Sequence, residues 1–313
     1  MISLNDIQKA QEWIASLVVR TPLLTSQTIS AEHGNQLFLK SEHLQKTGSF
    51  KIRGATHKVL LTANEGAQHV VAASSGNHGQ AVAYIARQLG LQSTIVVPED
   101  AALCKQAAIQ AYGGKVELFG TNSPERLQRA AQISEENGAV FIPPYDDPAI
   151  MAGQGTIGLE IIEQLSDVDI VYVPVGGGGL ISGVAVALKE LKPTIQVIGV
   201  EPALAQDTYL SIQKGERTSI PPTQTIADGL RTSIPGELTF PLVQRFVNDI
   251  VLVSEDQIKQ AFSLVLSRMK QLIEPSAAVA VAAALAHPPE GKRIVAVVSG
   301  GNVDLDRIPS LLV

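Results

Sequence analysis

Short runs of β-branched and aliphatic residues alternate with longer stretches of helical periodicity along nearly the whole chain. Gln36–Lys40, His69–Ala73, Ser93–Val97, Lys115–Phe119, Ile170–Val175, Gln196–Val200, Ile250–Val253 and Arg293–Val298 have the composition of strands. Amphipathic or small-residue-rich stretches at Gln80–Leu89, Lys105–Tyr112, Pro124–Asn137 and Leu180–Leu191 predict helices between them. Many of the strand segments are apolar at successive positions, as expected of parallel strands covered on both faces. This βαβα alternation predicts an α/β fold of twisted, mostly parallel sheets flanked by helices.

From His69 to Phe141 several compact βα units follow one another, and a second series begins at Ile170. Pro143, Pro144 and Pro148 punctuate the passage between them. The expected organisation is a large domain in two parts, residues 1–68 and 147–313, with a small domain at 69–146. A ligand is expected in the cleft between the domains, at the carboxyl ends of strands.

Composition narrows the function classes. Hydrophobic residues make up 45% of the 313 and charged ones 17%, a globular balance with enough apolar material for a sizeable core. With 24 basic and 30 acidic residues the net charge is −6, so no basic field offers itself to nucleic acid. A single cysteine, Cys104, cannot form an intramolecular disulfide or a Cys-based zinc site. The longest plain apolar run, Ala277 to Ala286, is about half a membrane span and reads as a buried helix. The N-terminus carries Asp6 and lacks a basic-then-apolar leader pattern, so a cytoplasmic enzyme is expected, with no membrane partner.

Three strand ends carry loops suited to anions. Gly176, Gly177, Gly178 and Gly179 follow an apolar strand and precede a helix, so backbone N–H groups and the positive helix end can hold a phosphate. A plain tight turn would not need four glycines, each costly in backbone entropy. The spacing fits neither the Walker pattern nor G-x-G-x-x-G, which favours a small ligand with one phosphate. Ser74-Ser75-Gly76-Asn77-His78-Gly79 is a second such junction, shaped for a carboxylate; its plainer reading is N-capping by Ser or Asn. Ser299-Gly300-Gly301-Asn302 is the third. Lys51, one residue past Phe50 in a Gly/Ser-bounded helix start, is by itself a surface cation. Beside a monophosphate cradle it suggests an aldehyde cofactor held as a Schiff base.

Together, Lys46–Ala55 (KTGSFKIRGA), Ser74–Gly79 (SSGNHG), Gly176–Gly179 and Ser299–Asp304 (SGGNVD) resemble the fold-type II pyridoxal phosphate enzymes, the tryptophan synthase β-like fold. Within them the chain resembles the serine racemase and serine/threonine dehydratase branch, in order from about residue 5 to 305. The resemblance implies pyridoxal 5′-phosphate bound to Lys51, which is also the base for Cα on one face. It places Ser75 on the opposite face as a second proton donor and acceptor. Asn77 would bond the ring oxygen, Phe50 pack on the ring, Gly176–Gly179 hold the phosphate, and Ser299 meet the pyridine nitrogen with Gly300 close by. Ser74, Ser75, Asn77 and His78 would hold the substrate carboxylate, and Arg126 lies where a substrate-side cation is expected. Glu201, the carbonyl of Ala205 and Asp207 would bind a divalent cation, Mg²⁺, Ca²⁺ or Mn²⁺; without the resemblance the two acids read as solvated.

The implied activity is a hydroxy-amino-acid ammonia-lyase on L-serine and L-threonine, with serine racemisation as a second or main activity. A serine at the pyridine nitrogen stabilises negative charge at Cα less than an acid would, which favours prompt loss of a β-substituent. A 3-hydroxyaspartate dehydratase is a further reading, and Arg126 would then meet the second carboxylate, though a surface arginine on its helix fits as well. A non-catalytic amino-acid or nucleotide sensor is the alternative from another class; it would not need Lys51. The resemblance also implies a homodimer and raises an ATP effector; isoleucine feedback is not expected, because the C-terminal regulatory domain of the biosynthetic threonine dehydratases does not follow Val303.

Overall fold

The computed structural model describes residues 1–101, 103–121, 123–286 and 291–313; the side chains of Cys104, Ser123 and Pro124 lie outside that description. Among the described residues ten strands form two sheets. They are β1 (Leu23–Thr25), β2 (Gln36–Ser41), β3 (His69–Ala73), β4 (Gln92–Val97) and β5 (Lys115–Leu118), then β6 (Val140–Phe141), β7 (Ile170–Pro174), β8 (Gln196–Pro202), β9 (Asp249–Val253) and β10 (Arg293–Val298). The larger sheet has six strands in the order β1-β2-β10-β7-β8-β9, and only the β1–β2 pair is antiparallel. The smaller sheet is parallel throughout, in the order β5-β4-β3-β6.

The apolar runs fold as parallel strands because both of their faces are covered. Ile170 and Tyr172 of β7 enter one core with Ile294, Ala296 and Val298 of β10. Val171 and Val173 enter another core with Val295 and Val297. Helices Glu255–Leu264 and Pro275–Ala286 close the first core, and helices Pro148–Gln164 and Gly179–Leu191 the second. In the smaller sheet, Val70 and Ala72 pack towards helix Asn77–Gln88, whereas Val71 meets Ala130 and Ile133 of helix Ser123–Asn137. The alanine-rich segment is a buried helix as expected, with Ala277 through Ala284 inside.

All eight strands anticipated from the sequence are present within two residues of their expected bounds. The two further strands, β1 and β6, have three and two residues, too few to show a periodicity. Helix Gly179–Leu191 is set by close packing: a Cβ on Gly183 would lie 2.2 Å from the Met151 carbonyl oxygen. Small residues at that crossing bring helix Pro148–Gln164 against it and determine where its N-terminus points.

Candidate active site

The carboxyl ends of β3, β7 and β10 converge on one cavity of about 640 Å³, within the range of small-molecule sites. Its walls include Phe50, Lys51, Ser74, Ser75, Asn77, His78, Gly176 through Gly179, Ser299 and Arg126, contributed by both sheets and their loops. Four distant sequence motifs thus share one space.

Lys51 opens helix Lys51–Asn64, and its Nζ donates to the Pro144 carbonyl at 2.6 Å. Burial pulls its amine down to about 8, partly countered by the Glu274 carboxylate. A fair fraction is therefore neutral, hence nucleophilic and basic, at physiological pH. The Lys51 Nζ also lies 5.2 Å from the Phe50 ring centroid. The preceding segment is laced to the end of β10. Phe50 N–H donates to the Ser299 carbonyl at 2.9 Å, Gly301 N–H to the Gly48 carbonyl at 2.9 Å, and Asn302 Nδ2 to the Thr47 carbonyl at 2.8 Å.

After β3 the Ser74–Gly76 loop leads into helix Asn77–Gln88, with no side-chain cap at Gly76. Ser74 Oγ instead accepts from Gly76 N–H at 3.3 Å, so the hydroxyls are not consumed in capping the helix. Asn77 is fixed at both ends of its amide. Its Nδ2 donates to the two Glu274 oxygens at 2.9 and 3.1 Å, and its Oδ1 accepts from Asn302 Nδ2 at 2.8 Å. His78 Nε2 donates to the Ile142 carbonyl at 2.8 Å, while burial and the Lys51 charge lower its pKa to about 3. His78 is a neutral donor, not a proton shuttle.

The loop after β7 is built to receive an anion. Gly178 has φ +90°, and Gly179 starts helix Gly179–Leu191. Side chains at Gly177 or Gly179 would run into Tyr145, with a Gly177 Cβ only 2.5 Å from its ring. Among the described residues, none accepts from the N–H groups of Gly176, Gly177 or Gly178. Unengaged donors beside a buried lysine, at a helix N-terminus, fit the phosphate and aldehyde of pyridoxal phosphate.

Glu274 was not anticipated from the sequence. It lines the cavity, is 5% exposed, and burial raises its carboxyl to about 7. Arg53, two residues after Lys51, is wholly buried. Its Nε donates to Glu42 at 2.8 Å and its Nη1 to Glu160 at 2.7 Å, while Lys40 Nζ donates to Glu160 at 2.5 Å. This neutral quartet anchors the first turn of the Lys51 helix.

Not every anticipated residue meets the cavity. Gly300 lies just behind it: a Cβ there would lie 2.7 Å from Glu274 Oε1. Glu201, Ala205 and Asp207 lie apart, at the end of β8 and the start of helix Asp207–Lys214, and all three are fully buried. The two acids are therefore not solvated. Glu201 accepts from the N–H groups of Thr208 and Tyr209 at 3.0 and 2.8 Å. Burial raises both carboxyls, Glu201 to about 8 and Asp207 to about 7, and Asp207 adds to the Glu201 shift. Among the described residues no cluster of three or more His, Cys, Asp or Glu is placed to hold a metal.

This geometry belongs to a known class of enzyme. The chain belongs to the pyridoxal-phosphate dependent enzyme family, whose model matches residues 14–300. It is similar to the L-threonine ammonia-lyase of Thermotoga maritima, 44% identical over 100% of this chain and 78% of that protein. It is 46% identical to the serine racemase of Bos taurus over 97% of this chain and 94% of the relative. Maize serine racemase superposes with a TM-score of 0.95 at 39% identity, covering 99% of this chain and 96% of that one. The fold expected from the sequence is the fold of these enzymes, and the relatives are lyases and racemases. No helix among the described residues is long and apolar enough to cross a membrane.

Proposed function

We propose that this protein converts L-serine and L-threonine into the 2-oxo acid and ammonia, and that the same site racemises serine. One observation carries the reading: the Lys51 amine, the Ser74–His78 loop and the Gly176–Gly179 donors open on a single cavity. The names of the relatives, an ammonia-lyase and a racemase, support it. The division into residues 1–68 with 147–313 and a small domain at 69–146 is part of this reading; that the strands of the smaller sheet, β3 to β6, all come from 69–146 supports it.

When bound, pyridoxal phosphate supplies an electron-poor ring that stabilises negative charge at the substrate Cα. In this reading the protein does the rest. The backbone N–H groups of Gly176–Gly179 would hold the phosphate, Phe50 would pack on the ring, Asn77 would donate to the ring oxygen, and Ser299, beside Gly300, would meet the pyridine nitrogen. Ser74, Ser75, Asn77 and His78 orient the substrate carboxylate. Lys51 takes the Cα proton from one face. Ser75 returns a proton to the other face, which inverts the centre.

Arg126 also lines the cavity, and this favours a second reading in which a 3-hydroxyaspartate places its extra carboxylate there. A divalent cation, Mg²⁺, Ca²⁺ or Mn²⁺, fits Glu201, Ala205 and Asp207. Asp207 Oδ2 is buried without a hydrogen-bond partner among the described residues. Tyr209 N–H, the usual helical partner of the Ala205 carbonyl, goes to Glu201 instead. A cation would neutralise two adjacent buried acids using hard oxygen ligands. A homodimer, a cytoplasmic location and an ATP effector follow from the resemblance to the racemase and dehydratase branch.

The test is one time course with L-serine, pyridoxal phosphate and Mg²⁺, following pyruvate and D-serine, and repeated with Lys51→Ala. Pyruvate is expected from the parent and neither product from the variant. A parent that forms neither, or a variant that keeps its elimination rate, refutes the assignment.

A further inference from the structure

Thr239 does not line the cavity; it is wholly buried at the start of helix Thr239–Phe246. Yet its Oγ1 donates to the Gly177 carbonyl at 2.7 Å, and Gly236 N–H reaches the same oxygen at 3.4 Å. A Cβ on Gly178 would sit 2.7 Å from Thr239 Oγ1, so the hydroxyl fills the space beneath the loop.

Thr239 is itself held on both sides. Its N–H donates to Asp146 Oδ1 at 3.2 Å, and the N–H of Leu238 donates to the same oxygen at 2.9 Å. Its carbonyl accepts from Ser182 Oγ at 3.3 Å, on the helix that follows the glycines. Asp146 adjoins Tyr145, whose ring covers Gly177.

Peptide geometry gives this arrangement a consequence. In a trans peptide the C=O and the following N–H point in opposite directions. Holding the Gly177 carbonyl on Thr239 therefore turns the Gly178 N–H the other way, toward the side on which the loop lines the cavity. Between two glycines the opposite orientation is sterically open as well, so the backbone alone does not choose.

We propose that Thr239 is a positioning residue for the anion cradle, its hydroxyl locking the Gly177–Gly178 peptide so that the Gly178 N–H faces the bound phosphate. This assignment rests on the reading of the Gly176–Gly179 loop as the cofactor's phosphate site. Thr239 touches neither cofactor nor substrate and acts through the peptide.

The experiment compares Thr239→Val, which keeps the shape and loses the donor, with Thr239→Ser, which keeps the donor. The cofactor-free proteins are checked for folding by circular dichroism. Each is then titrated with pyridoxal 5′-phosphate and with pyridoxal, which has no phosphate, following the near-visible absorbance. T239V is expected to bind pyridoxal phosphate roughly tenfold more weakly, the worth of one well-placed buried hydrogen bond. Its affinity for pyridoxal stays at the parent value, and T239S recovers the phosphate-dependent part. The phosphorus-31 resonance of the bound cofactor shifts in T239V and returns in T239S.

Equal weakening toward both aldehydes, no weakening, or a serine variant that behaves like valine overturns the proposal. If Thr239→Val and a second variant, Thr239→Ala, both fail to fold, the hydroxyl is a general structural group and the proposal falls. A parent that binds both aldehydes equally well would instead remove the phosphate site itself, which separates the two failures.

Discussion

Arg53→Met removes the central cation of the buried quartet while roughly keeping side-chain length and packing volume. In the parent the two cations, Lys40 and Arg53, balance the two acids, Glu42 and Glu160. Besides the bonds described above, Arg53 Nη2 donates to Glu42 Oε1 and Glu160 Oε2, both at 2.9 Å. Without the guanidinium, the Glu42 carboxylate keeps, among the described residues, one side-chain hydrogen bond, from the Thr21 hydroxyl at 2.5 Å, and the more distant Lys40 charge, while the cluster carries one excess negative charge. Leaving one partner of such a buried pair uncompensated costs about 3–5 kcal/mol. An unfolding entropy of roughly 2.1 cal/mol/K per residue gives about 0.66 kcal/mol/K for the 313-residue chain. The expected fall in melting temperature is then about 5–8 °C, read by circular dichroism at constant protein concentration.

The pH dependence supplies a second reading of the same variant. In the parent, burial alone would raise the Glu42 carboxyl, but the Arg53 charge and hydrogen bonds hold it below its ordinary value. Its stabilisation is complete above the unfolded pKa and is lost as pH falls through the folded one. Without Arg53 the burial effect dominates and the sign reverses, so the deficit of R53M should shrink as pH is lowered from 8 toward 5. Adding Glu42→Gln to R53M should recover part of the loss. A melting-temperature change below about 2 °C for R53M, or a further loss on adding Glu42→Gln, would refute the view of Arg53 as a charge-balancing anchor.

Three further outcomes are expected. Capture of pyridoxal phosphate by the cofactor-free protein needs the neutral amine of Lys51. Its rate should therefore rise with pH through a midpoint near 8, below the ordinary 10.5, and Glu274→Gln should move that midpoint lower by removing the anion that raises it; stopped-flow absorbance reads both, and an upward move counts against the coupling. Ser75→Ala should lower D-serine formation more than pyruvate formation in a shared time course, and equal losses would end its role as the opposite-face proton donor. A chelator should lower the melting temperature of the parent, by an amount set by cation concentration and affinity, and leave Asp207→Ala unmoved; identical responses would dismiss the cation site.

What the sequence revealed depended on whether a residue's neighbours lay along the chain. The runs Ile170–Val175 and Arg293–Val298 announced strands because both of their faces are apolar, and the glycine loop announced itself as a costly local motif. Lys51 stood out only beside that loop. Glu274 gave no such signal, because its partner Asn77 is 197 residues away and one carboxylate ahead of an alanine-rich helix forms no pattern. Thr239 reads as an ordinary helix-start threonine until the fold sets its hydroxyl against Gly177. Glu201 and Asp207 looked like surface acids because burial is a property of packing, and two acids spaced six residues apart do not display it.

The position of β10 bears on the order in which the molecule can assemble. It is the last strand of the larger sheet in the chain but lies between β2 and β7, paired along both edges. The smaller sheet takes all its strands from one continuous stretch, so it can form as soon as that stretch has left the ribosome. The larger sheet must keep a slot between β2 and β7 until the C-terminal region arrives, a demand of high contact order that slows folding. The backbone bridge between Ser49 and Gly300 closes only then, and with it the wall that sets Phe50 and Lys51 beside Ser299. A nascent chain halted before Arg293 would hold most of its helices and no working pocket, so the capacity to bind cofactor is the last property the molecule acquires.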